Sequence, residues 1–326
     1  MGRAHRLRCD GKRGIFVKQA QTEVKRKRRG SGWGLLAPLL VVIAGISWGF
    51  IGLFSRPLSA AGLQPQQVAL LRNGIACLLL LPACWLTGHG RIGLRDVPVF
   101  LGSGIISVAL FNICYLACQE RSSLSVACTL LYTSPCFVML LSCLLFREKF
   151  RAGKALAVLF AMLGCACAAG VFGGGGKLSA GALLLGLGSG LGYALYSIFG
   201  KIALRRCHWL AVPAYTFLTA ALALLPLSRP GQLAGLMAAQ PRLWIYALLL
   251  AVVSTVTPFL LYTVALKHMD TGKAALIACV EPAAATLVGA VFFREALTLQ
   301  SVAGVALIIL SIAAVEFLPA GRKQRE

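Results

Sequence analysis

Apolar positions in this chain run on for whole helices without alternating with polar ones. Eight stretches contain no Asp, Glu, Lys or Arg: residues 30–55, 97–119, 122–146, 155–176, 178–200, 207–228, 243–266 and 296–315. Two more are each interrupted by a single charge, 63–88 by Arg72 and 274–293 by Glu281. A helix needs about 20 mostly apolar residues to cross a bilayer. The pattern therefore predicts an all-α integral membrane protein with ten transmembrane helices, joined by connections too short to hold a soluble domain. The first stretch follows a basic segment, as a secretory leader would, but it is long and lacks a small-residue cleavage site, so it is read as a retained helix. Gly2 follows Met1 as in a myristoylation signal, yet Arg6 stands where Ser or Thr is needed.

Composition agrees: 58% of the 326 residues are hydrophobic and 13% charged, against about 25% charged in soluble domains. The formal charge of +22 would in a soluble protein point to nucleic acid, so its placement matters. Eleven Lys/Arg fall in the first 32 residues. With an even helix count both termini share one side. That side then carries 25 of the 32 Lys/Arg, the other side six, and Arg72 lies within a helix. The excess of basic residues on cytoplasmic loops predicts that both termini are cytoplasmic. The charge thus reports orientation, with attraction to anionic membrane lipids as a by-product. No nucleic acid partner is expected; the alternative, nucleic-acid binding, would need only the tail.

Sliding the second half over the first gives an ungapped match at an offset of 147. Tyr115 falls on Tyr262, Ala127 on Ala274, Pro135 on Pro282, Leu140 on Leu287, Phe146-Arg147-Glu148 on Phe293-Arg294-Glu295, and Val158 on Val305. At offset 145, Trp48 falls on Tyr193, Phe54 on Phe199 and Arg56 on Lys201. Two copies of five helices follow. Because five is odd, the second copy enters the membrane upside down, the inverted-repeat design of secondary transporters. The implied layout is a basic cytoplasmic tail (1–32), a first repeat (33–172), a glycine-rich junction (173–178), a second repeat (179–318) and a C-terminal cytoplasmic tail (319–326).

Several of these residues carry a family resemblance. They are Ser47-Trp48-Gly49, Arg72, Pro135 and the helix end at Glu148, then Ala265-Leu266, Glu281-Pro282 and the second helix end at Glu295. In order, spacing and duplication, about residues 35 to 317 resemble the EamA family of the drug/metabolite transporter superfamily. The resemblance implies a ten-helix inner-membrane permease, often an exporter of small metabolites, and no single substrate. Helix 1 lacks the embedded Glu that drives proton exchange in the related small multidrug resistance transporters, so their coupling does not carry over directly.

Glu281 is the sharpest candidate. It lies about 10 Å into its window at 1.5 Å per residue, where a carboxylate costs about 3 kcal/mol or more. Pro282 removes a helical N–H donor beside it and leaves a carbonyl free. Glu281 is either a substrate or proton site, or a neutral carboxyl bonded across to helix 4, where its repeat mate is Ser134. Arg72 occurs in one copy only; its counterpart is Thr216. It either faces a cavity, holding an anionic substrate group or pairing with Glu281 when the site is empty, or snorkels to the interface. Asn73 and Asn112 are the other polar residues at depth, where interhelical hydrogen bonding is the commoner use. Trp48, Tyr193 and Tyr196 are candidate cavity-lining aromatics. Tyr115 and Tyr262 are candidate outer and inner gates, with an interfacial aromatic belt as the alternative. Gly45/Gly49, Gly186/Gly190 and Gly188/Gly192 have the spacing of close helix contacts. Glu148 and Glu295 precede helices and read as structural caps.

The 12 Cys form no CxxC pair or Cys/His zinc cluster, and His5, His89, His208 and His268 lie in the tail or at helix ends. No metal, cofactor or catalytic residue is expected. The favoured reading is a non-enzymatic secondary transporter, an exporter of a small polar metabolite such as an amino acid or related compound, working by alternating access as a monomer or homodimer. The alternative is an integral-membrane enzyme or lipid-handling protein.

Overall fold

The computed structural model describes residues 32–122, 124–148, 152–168 and 179–317. The predicted tail up to residue 31, the junction at 173–178 and the segment 319–326 lie outside the described residues. Regular structure among the described residues is entirely helical. Seven helices are long and apolar enough to cross a membrane: α1 (Trp33–Ala60), α2 (Pro65–Leu86), α3 (Val97–Arg121), α4 (Val126–Phe146), α6 (Ala180–Ala203), α9 (Leu243–His268) and α10 (Thr271–Phe293). Three shorter apolar helices, α5 (Gly153–Ala168), α7 (Ala211–Leu224) and α11 (Leu299–Ala314), accompany them. A ten-residue helix, α8 (Pro230–Ala239), links α7 to α9.

Helix starts follow local chemistry. Gln64 and Gln67 form a reciprocal capping box around Pro65 at the head of α2. Ser179 Oγ accepts from Ala182 N at 3.1 Å to start α6, and Thr298 Oγ1 accepts from Ser301 N at 3.1 Å to start α11. The duplicated Phe-Arg-Glu motif proves to be a helix stop. Arg147 and Arg294 adopt left-handed backbone, φ 53° and 55°. The following Glu148 and Glu295 N–H groups donate back to Ser142 O and Gly289 O, a Schellman-type ending.

Many large aliphatic side chains point outward, though others such as Leu250 and Ile277 are fully buried. Leu35, Leu78 and Leu86 are 81%, 73% and 88% exposed, while Ala37, Ala44, Ala194 and Ala247 are fully buried. Lipid tails are as apolar as leucine, so helices here associate through close packing of small residues. The contacts are reciprocal between the two halves. Helix α1 packs on α9 and α10 as α6 packs on α3 and α4, α2 packs on α7, and α5 packs on α11. Glycines enforce this. A Cβ on Gly45 would lie 2.3 Å from Val280 Cγ1, and one on Gly49 2.6 Å from Ala284 Cβ. On α6, a Cβ at Gly186 would strike Leu130 and one at Gly192 would press on Phe111. Gly164 and Gly304 bring α5 and α11 into backbone contact.

Candidate functional site

Each half carries one proline-broken helix. Helix α10 is interrupted at Cys279, whose N–H reaches Leu276 O in a tighter turn. Pro282 has no N–H for the carbonyl of Ala278 four residues back. That carbonyl faces Gly45 of α1, where a Cβ would lie 3.3 Å away. Pro135 does the same in α4: the helix breaks after Leu131, and Leu131 O faces Gly190 of α6, with a Cβ distance of 3.2 Å. Both glycine-to-carbonyl approaches therefore cross from one half to the other.

Between these breaks lies a cavity of about 120 Å³. Trp48, Arg72, Asn73, Asn112, Tyr193, Tyr196 and Glu281 all line it, so seven sequence-predicted site residues come together. Glu281 Oε2 accepts a hydrogen bond from Tyr193 Oη at 3.0 Å. Ser134, its repeat mate, lines the same space but is not its partner. Arg72 and Glu281 both line the cavity, but the two form no ion pair within 4.0 Å. Arg72 Nε is buried without a hydrogen-bond partner.

The two asparagines depart from the interhelical expectation. Asn73 Nδ2 donates to Ala69 O at 2.7 Å and Asn112 Nδ2 to Val108 O at 2.6 Å. Each turns its amide nitrogen onto its own helix four residues back.

The aromatic wall is continuous. Trp48 meets Phe259 edge-on at 5.2 Å and Tyr262 at 5.5 Å, and Tyr196 meets Phe259 at 4.8 Å. The two tyrosines expected as gates differ in placement. Tyr262 is part of the cavity wall, with its hydroxyl 2.8 Å from Ser197 Oγ. Tyr115 is not among the lining residues and lies 2.9 Å from Cys128 Sγ.

Sequence reasoning missed Ser107, Phe111 and Phe259, all cavity-lining. Ser107 sits in a π-helical segment of α3 (Gly102–Ala109), and the matching part of α9 (Val252–Val256) is also π-helical. A usable signal existed: Ser107 falls on Ser254 at the same offset of 147, and both hydroxyls are buried without a partner. Such wide turns recur at functional sites.

The duplicated glutamates lie away from the cavity and hold the halves together. Glu148 accepts from the N–H groups of Thr271 (2.8 Å) and Gly272 (3.3 Å) at the start of α10. It thus caps a helix of the other half. Glu295 pairs with Arg56 at 2.7 Å, whose guanidinium also sits 4.1 Å from the Phe293 ring centroid. The 11 described cysteines are free. Among the described residues no group of three His, Cys, Asp or Glu could hold a metal ion.

A bundle of apolar helices around a shared internal cavity defines a multi-pass membrane protein. The chain belongs to the EamA-like transporter family, which it matches twice, over residues 35–170 and 180–317. It is similar to an uncharacterized transporter of Archaeoglobus fulgidus, 28% identical over 278 residues, covering 83% of this chain and 93% of the relative. It is also similar to the uncharacterized transporter YwfM of Bacillus subtilis, 24% identical over 301 residues, covering 90% and 98%. One crystal structure superposes with a TM-score of 0.72 at 19% identity, covering 86% of this chain and 96% of its own; that likeness concerns the fold alone.

Proposed function

We propose that this membrane transporter is a secondary permease exporting a small polar metabolite, such as an amino acid or related compound, by alternating access. The observation that carries the reading is the cavity itself. Both family copies wall it, and one charge of each sign faces it, Arg72 from the first copy and Glu281 from the second. Reciprocal packing of the halves supports two five-helix repeats in inverted orientation, with α5, α7 and α11 completing ten crossings. In that arrangement residues 33–172 and 179–318 rock about the cavity, joined through 173–178. Both tails, 1–32 and 319–326, lie in the cytoplasm beneath the cell membrane. One chain contains both repeats, so a monomer suffices for the cycle.

Glu281 then serves as the coupling group, releasing a proton when substrate binds and regaining it afterwards, while Tyr262 and Tyr115 act as gates on the two sides. Flux of a labelled substrate in proteoliposomes tests this. The expected result is pH-dependent flux for the natural chain and pH-independent, strongly reduced flux for Glu281→Gln. Wild-type flux by Glu281→Gln at every pH would remove the proton role.

A further inference from the structure

We infer that Glu148 and Glu295 are a pair of exchanging latches: Glu148 holds the cavity shut on the face where α4 ends, and on inversion it moves to Arg205 while Glu295 leaves Arg56 for the start of the segment leading into α4. The inference rests on the transporter reading and names the contact that controls access to its cavity. The helices form two packed groups, α1 with α9 and α10, and α6 with α3 and α4. Each group draws on both copies, and the cavity lies between them. Trp48, Phe259 and Glu281 line it from the first group, Phe111, Ser134 and Tyr193 from the second. The repeat-related seams between the groups differ. On one face Thr271–Ala278 of α10 packs on Ser134–Phe146 of α4, and a Cβ on Gly272 would lie 3.6 Å from Ser142 Oγ and 3.7 Å from Met139 Cα. Shifted by the repeat offset of 147, the same seam would join Leu124–Leu131 to Val280–Phe293. These make no comparable contact among the described residues. One seam is closed and its counterpart is parted.

The glutamates differ in the same sense. Each stands two residues after a phenylalanine that carries an arginine. Arg56 lies 4.1 Å from the Phe293 ring centroid and Arg205 5.2 Å from that of Phe146, and each arginine belongs to the same group as the ring it covers. Glu295 takes its arginine at 2.7 Å and so stays within its group. Glu148 forms no ion pair with Arg205 within 4.0 Å. It spans the closed seam instead, its two carboxylate oxygens accepting from the N–H groups of Thr271 and Gly272. A carboxylate there also complements the positive end of α10. Lys154 of α5 pairs with the adjoining Asp270 at 3.5 Å. The same motif therefore occupies two settings, across the closed seam in one copy and within its group at the parted one. At the offset of 147, Thr271 and Gly272 fall on Leu124 and Ser125, which gives Glu295 the matching seat. Inverted repeats reach their second state by trading such settings.

Hydrogen–deuterium exchange of the full chain, in nanodiscs of phosphatidylethanolamine and phosphatidylglycerol, reads both seams at once. In Glu148→Ala the uptake rate over residues 134–146 and 271–278 should rise about tenfold, the scale of losing hydrogen bonds to a charged group. Uptake over 124–131 and 280–293 should fall as the opposite seam closes. Glu148→Gln, with one acceptor and no charge, should lie between. Arg56→Gln, which frees Glu295, should produce the same pair of changes with Glu148 intact, and it decides alone should the Glu148 variants fail to fold. Arg205→Gln, which removes the second seat of Glu148, should move both seams the other way. An opposite seam unchanged in Glu148→Ala and in Arg56→Gln would make Glu148 a local helix cap and overturn the latch. That result leaves the transporter reading standing, because flux through the natural chain in proteoliposomes is a separate measurement. Absent flux would count against transport whatever the deuterium pattern.

Discussion

At the scale of single residues, the backbone explains what the repeat looked like as text. Arg147 and Arg294 end their helices in left-handed conformation, which an L-residue with a Cβ adopts at a cost of about 1–2 kcal/mol and glycine adopts freely. Arg294→Gly should therefore raise stability by about 0.5–1 kcal/mol, whereas Arg294→Val, β-branched at positive φ, should lower it by about 1–2 kcal/mol. Thermal unfolding in detergent reads both. The duplicated Phe-Arg-Glu was legible as a repeat because the helix stop and its glutamate recur together, but its partners were not. Glu148 reaches α10 and Glu295 reaches Arg56, pairings made by packing rather than by spacing. Arg72 and Glu281 stood out because charges are expensive in lipid. Ser107 did not, because a serine in an apolar run looks like any small packing residue until its unpaired hydroxyl is seen.

At the scale of elements, glycine spacing predicted close contacts and the structure supplies the partner surfaces. Gly49 lies on α1 against Ala284 and the Ala285 backbone, where an added Cβ would come within 2.6 and 2.9 Å. Gly49→Ala should cost about 1–3 kcal/mol by overpacking. Gly74, inside α2 with nothing within 4 Å of its Cβ position, is the matched control. Gly74→Ala should gain about 0.5–1 kcal/mol from helix propensity. Equal effects at the two positions would refute the close approach of α1 to α10.

Connections carry a second prediction. His89, after α2, stacks on His208, before α7, at 3.7 Å. Burial, helped by His89 and Lys267, holds the His208 imidazole below its ordinary value of 6.5. The folded form therefore binds this proton less readily than the unfolded form. The contribution is complete above about pH 6.5 and is lost as pH falls through that value toward the folded-state one. The midpoint of thermal unfolding should fall on acidification below pH 6.5, and His208→Asn should flatten that fall. Neither histidine signalled this in the sequence, since 119 positions separate them and each read only as a residue at a helix end.

At the scale of the whole molecule, parity decides between two readings of the same helices. Among the described residues seven helices meet the length and hydropathy expected of a membrane crossing; α5 and α11 adjoin residues outside the described ones, and α7, with 14 residues, falls short by a few. Seven crossings would put the two ends of the chain on opposite sides of the membrane; ten put them on the same side. The short helices are placed like crossings: α5 and α11 pack on one another along their glycines, and α7 packs on α2. The shortfall of α7 is modest where a helix is flanked by snorkelling residues or a locally thinner bilayer. The basic residues give the sign, since Lys201 lies in the last turn of α6 and Arg205 and Arg206 follow it, whereas only Arg229 and Arg242 flank α8. A fluorescent protein that matures only in the cytoplasm, fused in turn to each end, should glow in both positions. Alkaline phosphatase, active only outside, should be silent at both ends and active when inserted after Gln240, beyond α8. Activity at one terminus would establish an odd number of crossings and remove the inverted five-helix arrangement, and with it the rocking motion that arrangement permits.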